Sequence, residues 1–365
     1  MNRVFKRCLI TGIAGSGGSY LAEYILKKSP STKIFGFRRS PGYTNYLKKK
    51  YKSKVLISKI DLSNFKSLKR KLKTVNPDVI FHLASNADVR NSFFEPLKFS
   101  ENNNMITVNL LESLRQINSK AIIMICSTSE VYGNVKKKNM PIKENQQIAP
   151  INPYAVTKAF QDLMSQVYQK TFGLNIIITR MFSYMNARRD NLFQTAFASQ
   201  IAAIEKGELN YMKHGNLKSK RTIIDTHDAM EAYWLAAKKG KIGEIYNICG
   251  SQKISVHDFL KKLISFSNKN IVYKVDKNLL RPNDIDLQIA DSIKFQKDTG
   301  WKPKINLNLA ILNLLNECRK KKKFNKIMKK KKNINYWCSW VFGIQHSYKI
   351  SKFRSYSNCC RFNEI

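Results

Sequence analysis

The sequence predicts an α/β protein, a Rossmann-like doubly wound parallel sheet with a smaller C-terminal substrate-binding domain. Three observations predict it: an apolar run that breaks into evenly spaced glycines near the amino terminus, short apolar runs alternating with helical periodicity through the first half, and a tyrosine four residues before a lysine at 154 and 158. Strands that alternate with helices favour a parallel sheet covered on both faces.

In chain order, Cys8-Leu9-Ile10 reads as the first strand, running into Thr11-Gly12-Ile13-Ala14-Gly15-Ser16-Gly17-Gly18 and then the helical stretch Tyr20 to Leu26. Gly12 permits a tight turn, Gly15 lets the backbone approach a pyrophosphate, and Gly18 lets the helix pack closely. The helix amino terminus offers unpaired N–H groups to the anion. The second strand, Lys33 to Phe37, ends in Arg38-Arg39-Ser40, where an NAD-specific chain would carry an acidic residue for the ribose 2′-hydroxyl. Two guanidinium groups suit a 2′-phosphate, so NADP is expected in preference to NAD. Val55 to Lys59, followed by Asp61-Leu62, then Val79 to Ala84, then Ala121 to Cys126 read as the next three strands, with helices over 99–117 and 154–172. The expected cofactor contacts are Gly12, Gly15, Gly18, Arg38, Arg39, Asp61, Leu62, Leu83, Ala84, Tyr154 and Lys158.

Tyr154 and Lys158 share one helix face. There the ammonium can lower the phenol's pKa and let it act as a base near neutrality. Alone, such a pair is weak in a chain with 16 tyrosines and abundant lysine. Its value comes from Ser127-Thr128-Ser129-Glu130, twenty-four residues upstream, which completes a set of proton-handling groups: Thr128, Glu130, Tyr154 and Lys158.

These motifs resemble the extended short-chain dehydrogenase/reductases and, within them, the GDP-mannose 4,6-dehydratase family. The resemblance spans roughly residues 7 to 315. It also rests on Ser92-Phe93 with Pro96, Leu110-Leu111-Glu112, Tyr132-Gly133, Arg188-Arg189, Gly215-Asn216-Leu217 with Arg221, and Arg281-Pro282 with Asp286. It implies that Tyr154 takes the proton of a sugar 4-hydroxyl while hydride passes to NADP, that Glu130 removes the C5 proton, that the 6-hydroxyl leaves as water, and that Thr128 hydrogen-bonds the 4-oxygen. A ketoreductase or 4-epimerase needs no C5 base, so a carboxylate two positions after Thr128 favours elimination; the plain alternative is a surface carboxylate at a strand end.

The implied substrate contacts are Ser183, Arg188, Arg221 and Arg281. Arg221 and Arg281 are the diphosphate candidates, because a guanidinium pairs two phosphate oxygens at once. Either could be a surface arginine. Phe182 to Arg189 lies where the family carries Phe-Asn-His-Glu-Ser-Pro-Arg-Arg, so Ser183, Tyr184 and Ala187 are departures. Stretches of the second half look equally like a GDP-4-keto-6-deoxymannose reductase, which remains the alternative reaction. The expected lobes are 1–180 plus about 216–250 for NADP and about 181–215 plus 251–318 for the nucleotide sugar, with a homodimer or homotetramer implied.

The formal net charge of +40 raises a nucleic-acid-binding reading, and residues 319 to 332 hold ten Lys or Arg and no acid. Against it, the basic excess is spread along the whole chain, together with abundant asparagine and isoleucine. No apolar run is long enough to span a bilayer, and the first strand begins too early for a signal peptide, so a cytoplasmic enzyme is expected. The seven cysteines show no metal-ligand spacing and read as reduced thiols; no metal is expected. Residues 319–365 are expected to be a disordered basic tail or, beyond Lys329, a frame-shift product: read one base later, permissible codons for Lys332 to Gly343 yield a second glycine-rich dinucleotide-binding start.

Overall fold

A computed structural model describes residues 2–321; the basic tail and the frame-shift expectation lie almost wholly outside them. The first lobe begins with β1 (Arg7–Thr11), α1 (Ser16–Lys28), β2 (Lys33–Arg38), α2 (Thr44–Tyr51), β3 (Val55–Lys59), α3 (Phe65–Val75) and β4 (Val79–His82). It continues with α4 (Val89–Phe94), α5 (Pro96–Gln116), β5 (Ile122–Thr128), a 3-10 turn (Ser129–Tyr132), α6 (Pro153–Phe172) and β6 (Ile176–Met181). Then follow β7 (Ser183–Tyr184), α7 (Phe193–Glu205), β8 (Met212–His214), β9 (Lys220–Ile224), α8 (Thr226–Lys239) and β10 (Ile245–Ile248). The last elements are β11 (Lys253–Ser255), α9 (Val256–Ser265), β12 (Tyr273–Val275), β13 (Leu287–Gln288), α10 (Ile293–Thr299) and α11 (Leu307–Lys320).

Seven strands form one parallel sheet in the order β10-β6-β5-β4-β1-β2-β3. This is the Rossmann-like, doubly wound arrangement the sequence predicts. Its strands are apolar on both faces because helices cover both. Successive residues feed opposite layers: Cys8 and Ile10, Val79 and Phe81, Met124 and Cys126 pack with α1 and α8, whereas Leu9, Ile80 and Ile125 pack with α3 and α5. The strand expected at 79–84 stops at His82, leaving Leu83 and Ala84 in the loop above the sheet.

The second lobe builds its own core from α7, α9 and α11, with Phe197, Ile201, Phe259, Leu263, Ile311 and Leu315 buried together. A second sheet runs β11-β9-β13, with β7 also pairing with β9. The lobes interleave at residues other than those expected. Lys220–Ile224, placed by sequence in the dinucleotide lobe, lies in this second sheet; Ile223 enters one core and Ile224 the other, so the strand is the seam between them. Phe295 and Trp301, placed by sequence in the second lobe, instead join the first core, where Phe295 meets the rings of Tyr246 and Trp301 at centroid distances of 5.3 and 5.4 Å. The apolar periodicity of α10 does not reveal which lobe it covers.

Among the described residues, Cys8, Cys126, Cys249 and Cys318 are free and buried, and no group of His, Cys, Asp or Glu could hold a metal ion. No described helix is long and apolar enough to cross a membrane.

Candidate active site

The glycine turn closes β1 at the point where the strand order reverses, between β1 and β4. Gly12 takes a φ of +71°, and its N–H donates to Phe37 O at 2.9 Å. A Cβ there would meet the Ala84 backbone at 2.9 Å, and one at Gly18 would stand 2.5 Å from Gly12 O. Side chains are therefore excluded where turn, helix and β4 loop touch. Gly15 caps α1 without a side-chain hydrogen bond, so no cap side chain occupies the first-turn N–H groups. That cradle fits an anionic pyrophosphate.

The other expected cofactor residues gather around it. Arg38 ends β2, and the exposed Arg39 donates to Asn102 Oδ1 at 2.6 Å. Asp61 accepts from the Ser63 N–H and hydroxyl at 2.9 and 2.7 Å, which, with Arg39 nearby, holds its carboxyl below the usual range. Leu62 is buried, Leu83 stands over Gly17, and the Ala84 N–H donates to Thr11 Oγ1 at 3.3 Å.

Thr128 ends β5 opposite Met181 of β6, at the carboxyl edge of the sheet. Its hydroxyl oxygen accepts from the Glu130 N–H at 3.3 Å, and its proximity favours the Tyr154 phenolate. Asn152 links the remaining pieces. Its Oδ1 accepts from the Ala155 N–H at 2.8 Å, capping α6, while its Nδ2 donates to Glu130 Oε2 at 3.0 Å. One residue therefore sets both the start of the helix carrying Tyr154 and the direction of the carboxylate.

Burial pushes the Tyr154 phenol up to about 12, and Glu130 adds to this; Arg189 is the foremost opposing charge. Burial likewise lowers Lys158 to about 8, with Arg189 adding to it. The Lys158 ammonium donates to Cys126 O and Gln161 Oε1, both at 2.6 Å, and Arg189 is the cation that favours the phenolate.

Behind Lys158 lies His82, fully buried. Its Nδ1 is 2.8 Å from Thr11 Oγ1 and its Nε2 is 3.4 Å from Thr107 Oγ1. The Thr107 hydroxyl donates to Asn103 O at 2.8 Å, so it can accept from Nε2–H, leaving Nδ1 to accept from Thr11. This wiring suits a neutral ring. Burial, then Lys158, lowers the His82 pKa from 6.5 to about 3. The unfolded chain alone takes up this proton below 6.5, so the group's contribution is complete above that pH and is lost as pH falls towards 3. Unfolding of wild type against His82→Asn across this window should show an extra loss in wild type of up to about 1.4 kcal/mol per pH unit. Parallel curves would refute it.

On the facing side, Arg221 and Arg281 converge on Asp284 at 3.8 and 3.5 Å, and Asn216 donates to the same carboxylate at 3.0 Å. Arg221 is buried, donates to Ile285 O at 2.5 Å, and lies within the field of Glu130. Desolvation lowers its pKa while Glu130 opposes that shift. Ser183 enters β7 and accepts from Gln194 at 2.6 Å. Arg188 is not brought to this cluster. Its guanidinium donates to Glu23 Oε2 and to Ser19 Oγ at 2.9 Å, stacked 3.8 Å from the Tyr20 ring centroid. It fastens the second lobe to α1, which corrects its expected place against the substrate. A separate hollow between α8 and α11, lined by Asp225, His227 and Glu317, contains none of the proton-handling residues.

The sequence profile described as GDP-mannose 4,6 dehydratase matches residues 9–314. The chain belongs to the GDP-mannose 4,6 dehydratase family. A GDP-mannose 4,6-dehydratase of Yersinia enterocolitica is 27% identical over 340 residues, covering 83% of this chain and 91% of that one. A GDP-6-deoxy-D-mannose reductase of Pseudomonas aeruginosa is 26% identical over 243 residues, covering 66% and 80%. Among solved structures, a UDP-glucuronic acid 4-epimerase from Bacillus cereus, in complex with UDP-glucuronic acid and NAD, superposes with a TM-score of 0.75 at 26% identity, over 86% of this chain and 98% of that one.

In this member of the GDP-mannose 4,6 dehydratase family, three site residues escaped sequence reasoning. Arg189 stood in the quoted Arg-Arg pair, but only its neighbour was assigned. Asn152 before Pro153 is a helix-start signal that went unused. Gln161 follows Lys158 by three residues, the spacing at which a helix brings a partner alongside.

Proposed function

We propose that the protein converts GDP-mannose to GDP-4-keto-6-deoxymannose and water. The observation that carries this reading is the carboxylate of Glu130, held by Asn152 beside Thr128 and Tyr154 and within the field of Arg221. Tyr154 removes the 4-hydroxyl proton, with Arg189 offsetting the burial that retains the phenol's own proton, and Thr128 hydrogen-bonds the 4-oxygen. A carbonyl at C4 acidifies the C5 proton, which Glu130 accepts. The 6-hydroxyl then leaves as water, its proton supplied from the Thr128 and Glu130 neighbourhood. When bound on the glycine turn, a nicotinamide dinucleotide would supply reversible hydride acceptance between C4 and C6 and so would not be consumed; of the two protons taken by Tyr154 and Glu130, one leaves with the water and the other returns to C5. Lys158 holds the dinucleotide's ribose, and Arg221 and Arg281 hold the diphosphate.

NADP is the proposed dinucleotide, because Arg38 and Arg39 end the strand beside the turn. Replacing both with alanine should weaken NADP binding by at least about 100-fold, at about 1.5–3 kcal/mol per charged hydrogen bond and one bond from each arginine, and leave NAD binding within about twofold. Equal losses for both would remove the preference.

The deciding experiment incubates the protein with GDP-mannose and catalytic NADP and follows a 4-keto-6-deoxy product. Turnover beyond the cofactor supplied supports dehydration. A second reading, reduction of the keto sugar, is favoured by the reductase relative and by the likeness of 197–207 and 244–249 to such a reductase. It predicts instead that NADPH is consumed one for one with a keto substrate.

A further inference from the structure

Gln194 lies in the first turn of α7 and is completely buried. Its Nε2 donates to Ser183 Oγ at 2.6 Å, and its Oε1 has no hydrogen-bond partner among the described residues. Exchanging the two ends of the amide would leave Nε2 unpaired instead, so the deficit does not depend on the assigned orientation. A buried carboxamide with one end unpaired is costly, and a ligand that completes it recovers that cost on binding.

Its surroundings say which ligand. Thr128 stands opposite Met181, and Ser183 follows two residues later, so Ser183 and the amide it holds sit beyond the strand ends where Glu130 and Tyr154 gather. Ser183 pairs with Ile223, two residues from Arg221, and Gln288 pairs with Arg221 itself. Residues two apart on a strand share a face, so Ser183, Arg221 and Gln288 point to the same side of the second sheet. Gln288 is also buried, and its Nε2 has no partner among the described residues. A phosphate oxygen only accepts, so it completes the amide in one orientation only. A hydroxyl both donates and accepts, and completes the amide in either orientation.

We propose that Gln194, clasped by Ser183, recognises a hydroxyl of the bound sugar and so sets which hexose the site accepts. The proposal rests on the nucleotide-sugar reading above. Gln194 brings a carboxamide to Ser183 from the adjacent helix. Gln194 is a specificity residue and takes no part in proton transfer.

The test titrates GDP-mannose and GDP into the full chain loaded with NADP, in a Tyr154→Phe background that stops turnover, with and without Gln194→Leu. Wild-type Gln194 is expected to bind GDP-mannose about tenfold more tightly than Gln194→Leu, while GDP binding stays within about twofold. A mannose analogue lacking the recognised hydroxyl should bind both forms equally. Ser183→Ala, which keeps the glutamine and removes its clasp, should give an intermediate loss and guards against a folding defect in Gln194→Leu. Unchanged GDP-mannose affinity in Gln194→Leu, or equal losses for GDP and GDP-mannose, overturns the proposal. If the parent protein binds neither ligand, the nucleotide-sugar reading falls and takes this inference with it.

Discussion

Replacing Glu130 with glutamine is expected to lower the dehydration rate by about 10²- to 10⁴-fold, the range typical of losing a positioned base. Glutamine is nearly isosteric and its carbonyl oxygen still accepts from Asn152, so the 3-10 turn and the start of α6 should persist. What disappears is the only part of the side chain able to receive a proton from C5. Arg221 also loses the foremost of the anions that oppose its desolvation, so some loss of substrate affinity should accompany the rate effect. Two readouts separate these: kcat should fall far more than KM rises, and solvent deuterium should no longer enter the product at C5. Reduction of a 4-keto sugar with NADPH should be largely spared. A variant retaining a tenth of wild-type dehydration would end the assignment of Glu130 as the C5 base.

Removing Asp162 is the substitution expected to cost most in stability. Asp162 and Arg180 form a buried pair, with Arg180 Nε and Nη2 donating to the two carboxylate oxygens at 2.9 and 3.1 Å. The guanidinium's other nitrogen donates to Tyr132 Oη at 2.9 Å and Glu144 O at 3.0 Å, and the Ser127 hydroxyl donates to Asp162 at 3.1 Å. The pair thus ties β5, β6, α6 and the turn behind Glu130 to one another. Asp162→Ala leaves a guanidinium uncompensated in the core, which should cost about 3–5 kcal/mol. Denaturant unfolding measures it, and a loss below about 1 kcal/mol would refute it. The double variant Asp162→Leu with Arg180→Met should recover much of the loss, because apolar residues need no counter-charge.

The strands and the glycine turn were legible because each depends on local pattern: an apolar run, a residue too small to clash. Direction was not legible. Arg188 and Arg189 are neighbours with opposite destinations, one on Glu23 of α1 and the other near Tyr154, and the short segment between β7 and α7 decides which turns inward. The Lys158 head group is drawn to the carbonyl of Cys126, and a backbone acceptor leaves no mark in sequence. The seam between the two cores was not legible for a related reason, since Ile223 and Ile224 are equally apolar and only tertiary packing assigns them to different cores.

The main sheet is completed by a strand delivered late. The chain leaves it at Met181, makes β7, α7, β8, β9 and α8, and returns only at Ile245 to lie against β6. During synthesis β6 therefore waits as an open edge, with apolar residues on both faces, until the strand that covers it emerges from the ribosome. A nascent chain stalled before residue 245 should be a ready target for holdase chaperones, and shortening it there should yield aggregate instead of a free-standing nucleotide-binding half.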